Sequence, residues 1–365
     1  MEKKLGFGMM RLPENDSGVD VKRVCGMVDK YLERGYRWFD TAYLYHKGQS
    51  EGVVGASVVR RHPRESFQVA TKMPVSTVKE TADVQRIFDE QLTRTGLEYF
   101  DRYLLHAVDH AKLETIERTG MWDFLYGLKE KGLAKKIGFS FHDTAEVLEK
   151  ILSAHPDLDF VQLQINYADW NNPGVQSAKN YAVAEKYGLN VIVMEPVKGG
   201  MLAGNLNPAV MEVLNAVTPG LDPAVWALRF AASLKNVVTV LSGMSTEAQL
   251  EQNMDLFDAF EQLNPAEQDA LRQAAELLAQ TKTIPCTRCG YCTENCPQQL
   301  PIPNLIAVLN DTLKFGMSDG TRHAFDWYAR KGKPSNCVRC HRCEARCPQH
   351  LPIIESLAKL AEKYE

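Results

Sequence analysis

Eight of the nine cysteines lie between Cys286 and Cys347, in two runs of identical spacing. The first is Cys286-x2-Cys289-x2-Cys292-x3-Cys296-Pro297, and the second is Cys337-x2-Cys340-x2-Cys343-x3-Cys347-Pro348. Three thiolates this close wrap three corners of one iron–sulfur cube from a single tight loop. The proline then turns the chain and carries the fourth cysteine away. Where two such runs share a chain, the fourth cysteine of each ligates the other cluster. The spacing therefore predicts two [4Fe–4S] clusters, one on Cys286, Cys289, Cys292 and Cys347, the other on Cys337, Cys340, Cys343 and Cys296. Structural zinc favours two separated Cys-x2-Cys pairs, and disulfides are disfavoured in a chain without an export signal. Cys25 stands alone among apolar helix positions and reads as a small buried hydrophobe.

A second constellation lies far upstream. Asp40, Lys72 and His106 each terminate an otherwise apolar run, and Tyr45 follows Asp40 by five positions. A lysine beside a tyrosine favours phenolate and lowers its pKa, while an aspartate keeps that lysine charged and oriented. Such a tyrosine donates a proton to a developing alkoxide, and a histidine hydrogen-bonds the same oxygen. Taken singly, each has a plainer explanation, such as a packed histidine or a helix-capping aspartate.

The elements that must position these groups are short and regular. Strands are predicted at Leu5–Met10, Tyr36–Asp40, Phe67–Lys72, Asp101–His106, Lys136–Ser140, Phe160–Ile165, Asn190–Glu195 and Val237–Ser242. Amphipathic stretches such as Val21–Arg34, Val84–Thr95 and Thr144–Ser153 intervene. Eight strands alternating with helices over some 260 residues specify an α/β fold, a (β/α)₈ TIM barrel. A doubly wound sheet would carry a Gly-x-Gly-x-x-Gly turn after its first strand, and none is there. After Asn264-Pro265 the chain predicts a helix at Ala266–Gln280, then helical pieces at Ile302–Leu313, His323–Lys331 and Leu351–Tyr364. The domains expected are 1–262, the barrel, and 263–365, a small, mainly helical ferredoxin-like iron–sulfur domain.

Composition narrows the partners. The chain has 365 residues, 45% apolar and 24% charged, with 42 basic against 46 acidic side chains. No basic excess exists to neutralise phosphates, so nucleic acid is not expected. No apolar run is long enough to span a membrane, and the first residues lack a signal peptide's apolar core. A cytoplasmic location is expected.

From about residue 4 to 260 the chain resembles the aldo-keto reductase family. Leu5-Gly6-Phe7-Gly8 with Arg11-Leu12-Pro13 is similar to its opening strand, and Asp40-Thr41-Ala42-Tyr43-Leu44-Tyr45 to its Asp-Thr-Ala-x-x-Tyr segment. Ala70-Thr71-Lys72 and Leu104-Leu105-His106 match the segments carrying its lysine and histidine. The resemblance implies a catalytic tetrad of Asp40, Tyr45, Lys72 and His106 with Tyr45 as general acid/base, Tyr43 being displaced from the motif by two residues. It implies NAD(H) or NADP(H) as cofactor. Ser140 and Gln164 would hold the nicotinamide carboxamide, and Tyr167 would stack on its ring. Glu195, Pro196, Gly199 and Gly200 would wrap the diphosphate; Gly243, Met244, Ser245, Gln249 and Asn253 would hold the adenosine end. Met244 stands where NADPH-using members commonly place Lys or Arg, which weakens that preference.

Tyr43, Met73, His142 and Trp170 sit just past strand ends, with Asp109, His110, Asp169, Asn171 and Asn172 adding hydrogen-bonding capacity. That mouth suits a small carbonyl or alcohol substrate of the sugar, hydroxy-carbonyl, aldehyde or quinone class. The leading expectation is a carbonyl–alcohol oxidoreductase whose clusters relay electrons to or from a redox partner protein. Two anionic clusters favour a partner with a basic face. Two alternatives are clusters that only shape the pocket, and a non-catalytic nucleotide-sensing or docking module.

Overall fold

The computed structural model describes residues 3–16, 18–204, 206–286 and 288–365. Among them, eight parallel strands close into a barrel. They are β1 Leu5–Gly8, β2 Trp38–Asp40, β3 Gln68–Met73, β4 Phe100–Val108, β5 Ala134–Phe141, β6 Phe160–Gln164, β7 Asn190–Met194 and β8 Val237–Gly243. Each pairs with the next in sequence, and β8 closes on β1 with Leu5 opposite Val240. Every predicted strand is present, with ends moved by a few residues; β4 runs on past His106 to Val108.

Side chains alternate along a strand, so one set fills the barrel. Trp38, Ala70, Leu104, Phe160, Ile192 and Leu241 form one buried layer. Their bulk leaves no room on two neighbours. A Cβ on Gly6 would lie 2.5 Å from Trp38 Cδ1, and one on Gly138 would lie 2.2 Å from the Phe160 carbonyl oxygen. Two residues further toward the carboxyl ends, the same inward register brings up Asp40, Lys72, His106, Ser140 and Gln162. The apolar layer thus floors the site.

The chain divides into two compact units, Met1–Pro196 with Leu228–Gln262, and Val197–Ala227 with Leu263–Glu365. Segment 197–227 is the departure from the expected 1–262 and 263–365 division. Within the second unit, helix Pro208–Val217 packs on helix Pro265–Gln280. Loop 197–204 meets the start of helix Asp319–Ala329, where a Cβ on Gly320 would lie 2.6 Å from the Gly199 carbonyl oxygen. Leu305, Ile306, Leu309, Ile353, Leu357 and Leu360 build this unit's core. Helices Ile302–Phe315 and Ile353–Tyr364 carry them, where Ile302–Leu313 and Leu351–Tyr364 were predicted. The helix predicted at His323–Lys331 starts earlier, at Asp319, because Ser318 and Thr321 form a capping box.

The cysteine runs fold alike. Left-handed residues fall at matching places, Arg288, Gly290 and Gln299 in the first (φ 58, 87 and 52°) and Arg339, His341 and His350 in the second (φ 54, 58 and 50°). Each run then forms a single helical turn, Tyr291–Glu294 and Arg342–Ala345, and the two turns pack together. Cys25 is half-buried rather than in the core. Among the described residues no helix is long and apolar enough to cross a membrane.

Candidate functional site

Lys72 is fully buried, and its ammonium donates to Asp40 Oδ1 at 2.5 Å and to the Thr41 carbonyl at 2.7 Å. Gln162 reaches across from β6 and donates to Asp40 Oδ2 at 3.2 Å. The ammonium lies 4.8 Å from the centre of the Tyr45 ring, and His106 meets that ring edge-on at 5.7 Å. The four predicted residues are therefore together at the carboxyl ends of β2, β3 and β4. Gln162 is a fifth member the sequence reading missed. The inward register of β6, two positions before Gln164, was the signal that could have found it.

Burial decides the protonation states. Burial alone would push Lys72 down, but Asp40 and Tyr45 outweigh it and the ammonium is held above its ordinary value. Tyr45 is raised, chiefly by burial; Lys72 pulls the other way without winning. The predicted lowering of the tyrosine is thus reversed here, because a phenolate loses more solvation than the lysine returns. His106 is pushed down to about 3, by burial first and then by Lys72, His142 and Lys112. At neutral pH the site holds a neutral phenol and a neutral imidazole over a charged pair.

A second polar network fixes β3 from outside. Buried Glu51 accepts from Thr71 Oγ1 and Gln91 Nε2, both at 2.6 Å, and Gln91 also donates to the Lys72 carbonyl at 3.0 Å. Tyr43 points its hydroxyl to Glu90 at 2.7 Å, with Arg94 over its ring, so it belongs to the surface of helix Thr81–Thr95. Other predicted mouth residues are also engaged locally. Asp109 caps helix His110–Thr119, Asn172 accepts from Gly174 N, and Met73 is in the core. Trp170 stands edge-on to Phe230 at 5.4 Å.

The residues assigned to a nucleotide divide by accessibility. Ser140 is buried and accepts from Ala107 N at 2.7 Å, where β4 bulges and Ala107 takes φ 56°. Gln164 is half-buried at the end of β6. Tyr167 is 1% exposed, and its buried hydroxyl has no partner among the described residues, a polar group aimed into the fold with capacity to spare. Glu195 takes φ 55° before Pro196, and its carboxylate lies 3.8 Å from Arg11. Met244 is fully buried, so that position offers backbone and not side chain. Ser245 donates to the Arg11 carbonyl at 2.7 Å, Gln249 accepts from Ser245 N at 2.8 Å, and Asn253 donates to Ser242 at 3.0 Å. A Cβ on exposed Gly243 would press on the Arg11 side chain at 3.1 Å. Arg11 thus brings a guanidinium to the ends of β7 and β8, the place where barrels commonly bind phosphate. Gly199 and Gly200 both take positive φ in loop 197–204.

In the second unit, Cys286, Cys289, Cys292 and Cys347 line one recess, the set predicted from spacing. Cys292, Cys296, Cys343 and Cys347 are buried in the apolar core, while Cys289 and Cys340 are exposed. Burial raises Cys292 and pushes Cys343 up to about 11. Metal ligation requires these thiols to lose their protons. The fit to iron–sulfur clusters rests on the donor set itself, eight thiols in two loops of matching spacing with one predicted set around a single recess.

The aldo/keto reductase family model matches residues 4–276, and a 4Fe-4S dicluster domain matches 285–351. An aldo-keto reductase of a Mycobacterium strain is 32% identical over 257 residues, covering 70% of this chain and 81% of that protein. One from Mycolicibacterium vanbaalenii is 31% identical over 231 residues, covering 62% and 75%. Among solved structures, the holo form of an aldo-keto reductase from Bacillus halodurans superposes with TM-score 0.60 at 22% identity, over 74% of this chain and 91% of that one. One from Klebsiella pneumoniae in complex with NADPH gives 0.60 at 19%, over 75% and 95%; both likenesses speak to fold alone. With that barrel, that match and a dicluster domain behind it, the chain belongs to the aldo/keto reductase family of oxidoreductases.

Proposed function

We propose that the chain is a nicotinamide-dependent reductase of small carbonyl compounds, with Tyr45 as general acid/base. In this reading 1–262 carries the hydride chemistry, and 263–365 holds two [4Fe–4S] clusters that exchange electrons with a redox partner in the cytoplasm. The observation that carries it is the buried Lys72–Asp40 pair beneath Tyr45, with His106 against the same ring. Bound nicotinamide supplies a hydride, and clusters supply single-electron capacity. The residues do the rest. Tyr45 donates its phenolic proton to the carbonyl oxygen, and neutral His106 donates a hydrogen bond to the same atom. Lys72 steadies the phenolate left behind, while Asp40, tethered by Gln162, keeps the lysine charged. Ser140 and Gln164 orient the carboxamide, and Tyr167 walls the ring. Glu195 and Pro196 line the phosphate path; Gly243, the Met244 backbone, Ser245, Gln249 and Asn253 shape the adenosine end, with Arg11 against Gly243 and Ser245. Arg11 supplies the cation that Met244 lacks, which favours NADP(H) over NAD(H).

Four cysteines within the second unit's apolar core favour one alternative, clusters that serve as structural staples. An anaerobic titration with NADPH and then NADH, followed by cluster absorbance and EPR, separates the two. Bleaching by nucleotide supports the relay; clusters reducible only by dithionite, with nucleotide bound, support the staple. For the tetrad, Tyr45→Phe is expected to slow carbonyl reduction by about 10² to 10⁴ with nucleotide affinity unchanged. Unaltered turnover would end the acid/base assignment.

A further inference from the structure

The two cysteine loops share left-handed backbone at three matching positions and a helical turn at the same place, so the repeat is its own control. What both loops have, the clusters need; what only one has serves something else. The loops differ in charge. From Cys286 to Gln299 there is one arginine, Arg288, against one glutamate, Glu294. From Cys337 to His350 there are three arginines, Arg339, Arg342 and Arg346, with His341 and His350, against Glu344 alone. Tyr291 and Asn295 stand where the second loop has Arg342 and Arg346.

The second loop's basic groups face solvent. Arg339, His341, Arg342, Arg346 and His350 are all exposed. Glu344 is turned to internal use, accepting from Ile354 N at 3.0 Å and from His341 at 2.8 Å. Amid the cations stand Val338, 57% exposed, and the exposed thiol Cys340. An apolar contact point rimmed by charge is how transient electron-transfer surfaces combine close approach with steering. A chain of net charge −4 that gathers this excess in one loop is selecting for an anionic partner.

We propose that loop 337–350 is the docking face for an acidic one-electron carrier protein. This rests on the relay reading above and reverses the basic-faced partner expected from cluster charge alone. The carrier gives up or accepts one electron, with no bond or proton moved. Arg342 and Arg346 steer the partner, and Val338 meets it over the ligands.

The test uses the cluster-loaded full chain without oxygen, with a strongly acidic plant-type [2Fe–2S] ferredoxin as probe and affinity read by calorimetry across a salt series. Affinity is expected to fall about tenfold or more from low to physiological salt. Arg342→Gln with Arg346→Gln is expected to weaken binding about five- to tenfold. Tyr291→Glu with Asn295→Glu, an equal change in net charge at the matching places, is expected to leave it within about twofold. Iron content checks that each variant is loaded, and the salt series on the natural chain needs no variant. Salt-independent affinity, equal losses from both pairs, or equally tight salt-sensitive binding of a DNA duplex or anionic vesicles would each overturn the proposal. Docking that obeys these expectations while NADPH never reduces the clusters keeps the surface and ends the relay.

Discussion

Asp40 and Lys72 form a buried pair in which each needs the other. An isolated charge at such depth is costly, so each is tolerable only because the other is there. Lys72→Met strands the aspartate and is expected to remove activity and stability together, which is why Tyr45 is the cleaner probe. The raised Tyr45 and Lys72 and the lowered His106 place no titration between about pH 6 and 9. Carbonyl reduction at saturating nucleotide is therefore expected to be level across that range. Alcohol oxidation, which needs the phenolate, is expected to climb with pH throughout, since a raised pKa leaves ever more tyrosine to ionise on the way up. Initial rates in both directions check this; an acid limb near the ordinary histidine pKa in the reduction profile would show that His106 is not held neutral. Arg11 belongs at the same scale. Arg11→Ala is expected to weaken NADPH binding about tenfold or more and NADH binding less, read by fluorescence titration. Equal losses would place the guanidinium on the diphosphate and not on the 2′-phosphate.

Among the elements, loop 197–204 and helix Asp319–Ala329 pack backbone to backbone at Gly320 and Gly199. Gly204 approaches Ser318 as closely, a Cβ there lying 2.6 Å from the serine Cβ. Gly320→Val forces those backbones apart. Overpacking of this kind costs about 1–3 kcal/mol, and the loop carrying Gly199 and Gly200 must move. The expected result is a lowered melting temperature, read by calorimetry; an unchanged transition would show that the contact accommodates the larger side chain. The strand pattern was legible because buried parallel strands read as apolar runs, and their carboxyl ends named Asp40, Lys72 and His106 directly. The Glu51–Thr71–Gln91 network was not legible: its members come from three elements and look like ordinary surface polar residues until the helix is docked on the sheet.

For the whole molecule, two cores of different origin imply two unfolding events. The barrel layer of Trp38, Leu104, Phe160 and Leu241 involves no cysteine, whereas Cys292, Cys296, Cys343 and Cys347 sit in the core of the second unit. Removing iron by oxidation and chelation is expected to abolish or lower one calorimetric transition and leave the other in place, because metal binding and folding are linked where ligands form the core. A single unchanged transition after iron loss would mean that the module folds without its clusters.

Spacing alone pointed to the two cysteine runs, the barrel and the polar residues at its strand ends, because those features are local: a loop of thiols, a short apolar run, a residue at the end of that run. Tertiary structure alone decided that burial lifts the tyrosine the lysine would lower, and that Gln162 holds Asp40. It also decided that Met244 is buried while Arg11 brings its charge to Gly243, and that 197–227 joins the second unit. Each depends on which groups distant in sequence lose their water together, and desolvation is a property of the packed chain that no neighbouring residue encodes.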